Sequence, residues 1–260
     1  MKQIIAMHGW SSDAAVWAPW ERAFQAHGWQ WISGERGYGS RSPYAPVWSG
    51  QSDPAAPQRR AVIAHSLGPH LLEATVLAQA TDVVFLASFG RFVPEGRQGR
   101  ALRAGLEGMK SAIGGPGEAM MLHTFLQRAS TPTDVSALPP GPGTQGLTAT
   151  GRERLRADLE LLTATTGLPP GLPARARVLI VEAGSDAIVA PEASRRLRHE
   201  LGNLLEHAPE HWCLPNVGHA LLVPHLLTQV RQWLGQSQWL GQSQWLGQDQ
   251  WLRQDIGQPS

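Results

Sequence analysis

The 260-residue chain has a single cysteine, Cys213, which excludes an internal disulfide framework and fits a reducing compartment. Neither sign of charge is in excess: the formal net charge is +1, so no nucleic-acid partner is expected. A run of about 18 apolar residues is also missing, so no membrane span is predicted. The first residues lead straight into a strand pattern rather than a signal peptide. These absences predict a cytoplasmic protein.

Sequence patterns that hold metals or phosphates are missing as well. His207 and His211 are four residues apart, but Pro209 between them interrupts the helix that would align their rings. The H-E-x-x-H zinc pattern does not occur. The glycines of ERGYGSRS, residues 35–42, lack the G-x-G-x-x-G spacing of a dinucleotide loop. We therefore expect neither a metal nor a cofactor.

The pentapeptide AHSLG, residues 64–68, lies between an apolar run and a helix-like run. A serine on a sharp strand-to-helix turn is how a nucleophile is exposed in the G-x-S-x-G pattern, and small flanking residues let that turn close. Ala64 replaces the first glycine and is still small. Ser66 is therefore a candidate nucleophile, although the pentapeptide alone is equally typical of an ordinary turn serine.

A nucleophilic serine needs a base and a carboxylate that orients the base, and they follow it here in the chain order Ser, Asp, His. Asp186 comes just after the apolar run RVLIVEAG, residues 177–184, and His219 follows another short strand pattern. Open parallel sheets build their sites at such strand ends. Taken singly, Asp186 is equally typical of a helix cap, and His219 is one of ten histidines. The three together favour a catalytic triad.

The N-terminal segment KQIIAMHGW supplies the remaining part of such a site. It runs from a strand into a His-Gly turn, and acyl transfer needs one N–H from this loop and one after the nucleophile. We assign the backbone amides of Trp10 and Leu67 as the oxyanion hole. His8 is expected to brace the loop, because a second base has no role.

Strand patterns alternate with helix patterns along most of the chain. Strands are predicted at 3–7, 29–32, 61–64, 83–87, 178–181 and 212–214, and helices at 13–26, 67–79, 191–201 and 221–234. This alternation predicts an α/β fold, a mostly parallel sheet with helices on both faces. The core is expected in two parts, 1–90 and 176–234, separated by a helical insertion at 91–175 and followed by a tail at 235–260. Helices are predicted in the insertion at 98–113, 117–129 and 151–163.

These features resemble the α/β-hydrolase family up to about Leu234. HGWSSDAAVW, residues 8–17, looks like the family's first loop, and ERGYGSRS resembles the turn after the next strand. The resemblance implies a helical cap at the insertion. It also implies that the usual N-terminal hairpin is missing. Two features depart from the family: Glu35 stands where an Asp is common, and Pro-rich residues 43–58 replace an expected helix.

Within that family, the Trp after His-Gly and the HSLG turn look most similar to the carboxylesterases of biotin synthesis, which demethylate pimeloyl-[acyl carrier protein] methyl ester. The resemblance therefore implies an acyl carrier protein as the substrate's carrier. The insertion would then roof the site, with Trp10, Met109, Met121 and Phe125 against the substrate, although simple packing explains the insertion's apolar residues equally well.

The insertion also collects positive charge, a net +4 between Arg91 and Arg177, which would attract an acidic carrier protein. Candidate docking residues are Arg97, Arg100, Arg103, Arg128, Arg152, Arg154 and Arg156. Against this, 20 of the chain's 22 basic residues are arginine, which is also typical of a genome-wide codon bias.

A six-residue repeat, QWLGQS and its variants, runs from Gln232 to Asp255. A period of six does not return to the same face of a helix, so no single buried face results. Trp233 and Leu234 of the first copy are expected to complete the last core helix. We interpret the other copies as a weakly ordered extension, either a partner-binding segment or a duplication without function.

The sequence predicts a serine carboxylesterase whose activity falls in acid, because a protonated imidazole cannot accept the serine proton. Other hydrolases of this fold share every residue named, among them lipases, thioesterases and C–C hydrolases. An acyltransferase or a non-catalytic binding protein on the same scaffold are further alternatives. The sequence gives no oligomeric state.

Overall fold

A six-stranded sheet forms the centre of the computed structural model, which describes residues 1–50 and 58–236. All of its strand pairs are parallel, in the order β2-β1-β3-β4-β5-β6. The six predicted strands are confirmed, with slightly different ends. They are β1 (Lys2–Met7), β2 (Gln30–Ser33), β3 (Arg59–His65), β4 (Asp82–Leu86), β5 (Arg177–Ala183) and β6 (Glu210–Leu214).

Helices cover both faces of the sheet. Around the sheet lie α1 (Ala18–Gln25), α2 (Ala74–Leu77), α7 (Pro191–Leu204) and α8 (Leu226–Gly235), with 3₁₀ helices at Ala14–Trp17 and Gly68–Leu71. Alternate residues of the central strands point to opposite faces, so Ile63 packs with α1 and α8 while Val62 packs with α2 and α7. Burial on both faces explains why these strands are continuous apolar runs.

The insert, residues 87–176 between β4 and β5, is helical. It contains α3 (Arg100–Ala112), α4 (Glu118–Ser130), α5 (Pro142–Gln145) and α6 (Ala149–Ala164), with a 3₁₀ turn at Val135–Ala137. Its apolar side chains form a third cluster with Trp10, Tyr38 and Leu67 of the sheet-bearing part. The insert therefore packs directly over the carboxyl ends of β1 and β3.

Two predicted helices differ from the structure. Residues 67–79 form no single helix, because Leu72 and Glu73 are extended between the 3₁₀ turn and α2. This extended step buries Leu72 in the sheet-facing core, so tertiary packing overrides the local helix pattern. The last helix begins at Leu226 rather than 221, since Pro224 cannot donate a hydrogen bond within a helix.

The end of the chain is described only in part. Trp233 and Leu234, which belong to the first copy of the repeat, are buried in the core at the end of α8, as predicted. The expected extension formed by the later copies lies outside the described residues, as do residues 51–57 of the Pro-rich segment. Across residues 1–50 and 58–236, every helix is too short or too polar to cross a bilayer.

A buried carboxylate fastens the insert to the sheet. Asp158 of α6 accepts two hydrogen bonds from the Arg36 guanidinium, at 2.6 and 2.9 Å, and one from the Tyr38 hydroxyl at 2.5 Å. Burial and the neighbouring Asp158 carboxylate raise the pKa of Tyr38, so its hydroxyl stays protonated and donates. Asp158 itself is only 2% exposed. The arrangement satisfies the charge of a side chain that water does not reach.

We expect Asp158→Ala to lower the free energy of unfolding by about 3 kcal/mol, because it leaves a guanidinium and a buried hydroxyl without their acceptor. Urea denaturation of the purified protein measures this loss. The matched control is Arg195→Ala, which breaks the exposed Arg195–Glu192 pair of α7 and should leave the free energy of unfolding nearly unchanged. Similar losses in both variants would contradict the role given to Asp158.

Candidate active site

Ser66 lies at a strained turn directly after β3. Its φ is +56°, in the left-handed region that costs a residue with a side chain about 1–2 kcal/mol. Two hydrogen bonds hold the turn: the Ser66 amide donates to the Leu86 carbonyl at 2.9 Å, and the Ser88 hydroxyl donates to the Ser66 carbonyl at 2.7 Å. The end of β4 therefore fixes the direction in which the Ser66 hydroxyl projects.

Two glycines let the backbone close around this serine. A Cβ on Gly68 would lie 2.4 Å from the Met7 carbonyl oxygen of β1, and a Cβ on Gly9 would lie 2.9 Å from the Ser66 Cβ. Neither position has room for a side chain. Packing against β1 thus requires glycine at position 68, the last residue of AHSLG. The close approach of Gly9 shows that the first loop passes directly beside Ser66.

The structure brings Ser66, His219 and Asp186 together. His219 Nε2 lies 2.9 Å from the Ser66 hydroxyl oxygen, and His219 Nδ1 lies 2.8 Å from a carboxylate oxygen of Asp186. Ser66 is 7% exposed and His219 is 2% exposed. Both distances are those of hydrogen bonds, so a proton can pass from the hydroxyl to the imidazole while the carboxylate orients the ring.

Asp186 is held as an anion by its surroundings. The amides of Ile188 and Val189 both donate to one of its carboxylate oxygens at 2.8 Å, and the other oxygen faces His219. Burial by itself would raise the pKa of Asp186, but His219 and the two amides bring the pKa below its ordinary value. A charged carboxylate suits the task of supporting an imidazolium.

Loop contacts fix the relative positions of the Asp186 and His219 loops. The Ser185 amide donates to the Val217 carbonyl at 2.9 Å, which joins the loop after β5 to the loop after β6. A Cβ on Gly218 would lie 1.9 Å from the Thr131 carbonyl oxygen at the end of α4, so glycine is required there. The imidazole is therefore positioned both by the sheet and by the insert.

Trp10 and Leu67, the predicted oxyanion-hole residues, both lie near Ser66: Trp10 lines two cavities with it, and Leu67 follows it in the chain. In the part of the chain that the structure describes, neither backbone N–H donates a hydrogen bond to a backbone carbonyl or to a side chain. Both residues are buried. His8 acts on the same loop: its Nδ1–H donates to the Gly9 carbonyl at 2.9 Å, and its Nε2 accepts from the Arg36 amide at 3.2 Å. These contacts match a bracing role for His8.

Two cavities meet at Ser66. The imidazole-side cavity has a volume of about 480 Å³ and is lined by His219, Trp17, Trp20 and Leu138 among others. The insert-side cavity has a volume of about 320 Å³ and is lined by Leu102, Gly105, Ile188 and the predicted pocket residues Met109 and Met121. Trp10 and Phe125 line both cavities. All four residues predicted to contact substrate therefore lie beside Ser66.

The seven arginines predicted to dock a carrier protein fall into two groups. Four of them donate hydrogen bonds within the protein: Arg103, Arg152, Arg154 and Arg156. Arg152, for example, bonds to Glu118, and Arg154 bonds to the Gly37 carbonyl. Arg97, Arg100 and Arg128 are exposed, and their side chains form no ion pair or hydrogen bond with any other described residue. Among the seven, these three are the ones whose side chains have no bond within the described part of the protein.

Sequence reasoning missed two residues of the site. The Nε2–H of His65 donates to the His219 carbonyl at 2.9 Å, which ties the strand before the nucleophile to the loop of the base. Ser88 holds the Ser66 carbonyl. Ser88 follows the end of β4, so the strand-end rule that selected Asp186 and His219 could also have selected it. His65 lies inside the motif itself but carries no distinguishing signal.

Among residues 1–50 and 58–236, no group of three or more His, Cys, Asp or Glu side chains is arranged to hold a metal ion. No protein-family model matches the chain, and no curated protein sequence matches it.

Solved structures do match the chain over nearly its whole length. An esterase from Exiguobacterium antarcticum has a TM-score of 0.65 at 12% identity, covering 91% of this chain and 92% of that chain. A bromoperoxidase from Bacillus anthracis has a TM-score of 0.61 at 15% identity, covering 90% and 89%. A monoacylglycerol lipase from Paleococcus ferrophilus has a TM-score of 0.56 at 14% identity, covering 89% and 93%.

These likenesses, together with the parallel sheet and its helices, show that the chain has the α/β-hydrolase fold. The expected fold class is therefore confirmed. At such low identity the shared fold leaves the reaction to be argued from the site.

His65 gives the site a dependence of stability on pH. Burial and the adjacent His219 imidazole lower the pKa of His65 to about 4. A histidine in the unfolded chain takes up its proton near pH ~6.5. Between the folded and the unfolded pKa, the unfolded chain binds more protons than the folded protein does. The free energy of unfolding therefore has its full value above the unfolded pKa and decreases as the pH falls towards the folded pKa.

We therefore expect the free energy of unfolding of the wild-type protein to fall between pH ~6.5 and ~4, and to fall less steeply in His65→Gln. The glutamine amide keeps an N–H donor for the His219 carbonyl but does not titrate. Urea denaturation at a series of pH values measures both slopes. Equal slopes would contradict the low affinity of His65 for a proton.

Proposed function

We propose that this protein is a serine carboxylesterase. The observation that carries the proposal is the continuous hydrogen-bonded chain Ser66–His219–Asp186, at 2.9 and 2.8 Å, with the serine on a strained turn between two apolar cavities. Structural neighbours that include esterases and a lipase support the same class of reaction.

In the first step the Ser66 hydroxyl oxygen attacks the ester carbonyl carbon, and its proton passes to His219 Nε2. The carbonyl oxygen becomes negatively charged and is stabilised by the free amides of Trp10 and Leu67. Asp186 balances the positive charge of the imidazolium.

In the second step the carbon–oxygen bond to the alcohol breaks, its electron pair goes to the alcohol oxygen, and the imidazolium gives that oxygen its proton. Water then attacks the acyl group on Ser66, again with His219 as the base, and the free acid leaves. The two cavities at Ser66 provide separate space for the two substituents of the ester carbonyl.

A finer proposal names the substrate as pimeloyl-[acyl carrier protein] methyl ester, which water cleaves in the cytoplasm to methanol and pimeloyl-[acyl carrier protein] with a free terminal carboxylate. The likeness of the HGW and HSLG segments to biotin-synthesis carboxylesterases supports it. So do the exposed, unpaired side chains of Arg97, Arg100 and Arg128 on the insert, since an acidic carrier would be attracted to them. Arg128 also lines the insert-side cavity, where an acyl chain would emerge.

The main competitors use the same three side chains. Lipases, thioesterases and C–C hydrolases differ in the shape of the space around Ser66, and an acyltransferase differs in keeping water from the acyl-enzyme. A non-catalytic binding protein on this scaffold has no need of the Ser66–His219 hydrogen bond. The complete triad geometry therefore favours an enzyme over a binding module.

We expect the wild-type protein to hydrolyse p-nitrophenyl butanoate, and Ser66→Ala to lower kcat by at least about 10⁴-fold because the variant lacks the hydroxyl that His219 would deprotonate. The release of p-nitrophenol measures the rate. Asp186→Asn should lower kcat by about 10⁴-fold as well, since the imidazole loses its orienting carboxylate.

The matched control is Ser111→Ala, which removes an exposed hydroxyl of α3 bonded only to the Glu107 carbonyl and should leave kcat unchanged. A wild-type protein that is folded but inert, or a Ser66→Ala variant with full activity, would overturn the esterase proposal.

The finer proposal predicts that the gene rescues a biotin-requiring bacterial strain that lacks its own pimeloyl ester carboxylesterase. Combined Arg97→Glu and Arg100→Glu changes should weaken hydrolysis of the carrier-bound ester about tenfold more than hydrolysis of p-nitrophenyl butanoate, because only the former docks an acidic protein. The same reversal at Arg175, outside the predicted docking set, is the control. Good esterase activity without rescue would overturn the biotin assignment alone.

A further inference from the structure

The two cavities at Ser66 differ in whether His219 lines them. His219 lines the imidazole-side cavity but not the insert-side cavity. The insert-side cavity instead touches Ala187 and Ile188, which follow Asp186 in the chain. The reacting carbonyl therefore has the imidazole on one side only.

A pair of aromatic rings borders both cavities. The Trp10 and Phe125 rings meet edge to face with their centroids 4.8 Å apart, and both residues line both cavities. The Trp10 indole N–H donates to the Leu155 carbonyl of α6 at 2.9 Å, which fixes the ring in place. The two rings are therefore a shared, fixed boundary of both cavities.

The chemistry of ester cleavage assigns an occupant to each cavity. The leaving alcohol oxygen takes its proton from His219 Nε2, so that oxygen must lie within hydrogen-bond distance of the ring. The rest of the alcohol then continues into the space that His219 lines. The acyl chain, on the other side of the carbonyl carbon, is left with the cavity that Ser66 lines without His219.

We infer that the imidazole-side cavity receives the leaving alcohol and the insert-side cavity receives the acyl chain, so that the substrate class is esters of bulky apolar alcohols with shorter acyl chains. This inference rests on the proposed serine esterase activity. The volumes, about 480 and 320 Å³, set the order of sizes, and both fall in the range of about 300–1,000 Å³ typical of ligand pockets.

The walls of the imidazole-side cavity support an apolar alcohol. Trp17, Trp20, Val135 and Leu138 lie along it, and no Asp, Glu, Lys or Arg of the described residues lines it. A methyl group occupies little of such a space, whereas a longer alkyl group buries apolar surface against these side chains. The methyl ester suggested by the resemblance has the smallest alcohol and a long carrier-bound acyl chain, so the substrate class inferred here is an alternative to the biotin assignment.

Two glycines provide a matched test of the assignment. Gly141 lines the imidazole-side cavity and Gly105 lines the insert-side cavity, and a Cβ at either position meets no atom within 4 Å. The φ of Gly141 is −163°, which any residue adopts, and Gly105 lies within α3, where most residues are favoured over glycine. Side chains added there narrow one cavity at a time.

The experiment measures kcat/KM by pH-stat titration for two esters of equal total size, hexyl acetate and ethyl hexanoate, with ethyl acetate as the reference. In the wild type, kcat/KM should be at least about tenfold higher for hexyl acetate than for ethyl acetate. Gly141→Phe should lower the ratio of hexyl acetate to ethyl hexanoate activity about tenfold, and Gly105→Phe should raise it by a similar factor. Gly141→Leu and Gly105→Leu repeat the test with smaller side chains if either phenylalanine variant fails to fold.

Ratios that move in the same direction in both variants, in the opposite directions to those stated, or not at all would overturn the inference while leaving the esterase proposal intact. A wild type inactive on all three esters, or activity that survives Ser66→Ala, would instead overturn the proposed function.

Discussion

The whole site depends on one backbone constraint, the left-handed turn at Ser66. A positive φ is sterically unfavourable for a serine. The turn persists because neighbouring parts of the sheet hold the backbone in this conformation. The Met7 carbonyl presses against Gly68, the Leu86 carbonyl holds the Ser66 amide, and Ser88 holds its carbonyl. Strain in one residue is thus supported by packing from β1 and by hydrogen bonds from the end of β4. The hydroxyl is presented to His219 before any substrate arrives.

The parallel sheet was predictable because its central strands β1, β3, β4 and β5 are buried on both faces, so each is a short apolar run that can be recognised locally. The three side chains of the triad were predictable for a related reason, since each follows a strand end and the carboxyl ends of parallel strands share one edge. Helix 67–79 was not predictable, because the extended step at Leu72 and Glu73 depends on packing against the sheet.

The other features that could not be predicted from the sequence are contacts between residues far apart in the chain. His65 and His219 are 154 residues apart, and Arg36 and Asp158 are 122 residues apart. No local pattern marks either member of such a pair, since each looks like a surface or turn residue until the chain has folded. The same holds for the docking set, in which Arg152 and Arg154 turned out to be bonded within the protein while Arg97 and Arg100 did not.

Trp10 links the loop near Ser66 to the insert through its backbone and its side chain. It lines both cavities at Ser66, its amide donates no hydrogen bond to another described residue, and its indole N–H is bonded to the Leu155 carbonyl of the insert. Exchange of the insert for that of another protein of this fold, by recombination or by design, would remove the acceptor of that indole. For the esterase proposed above, specificity and rate would therefore be inherited together, because a single side chain and its own backbone would serve both.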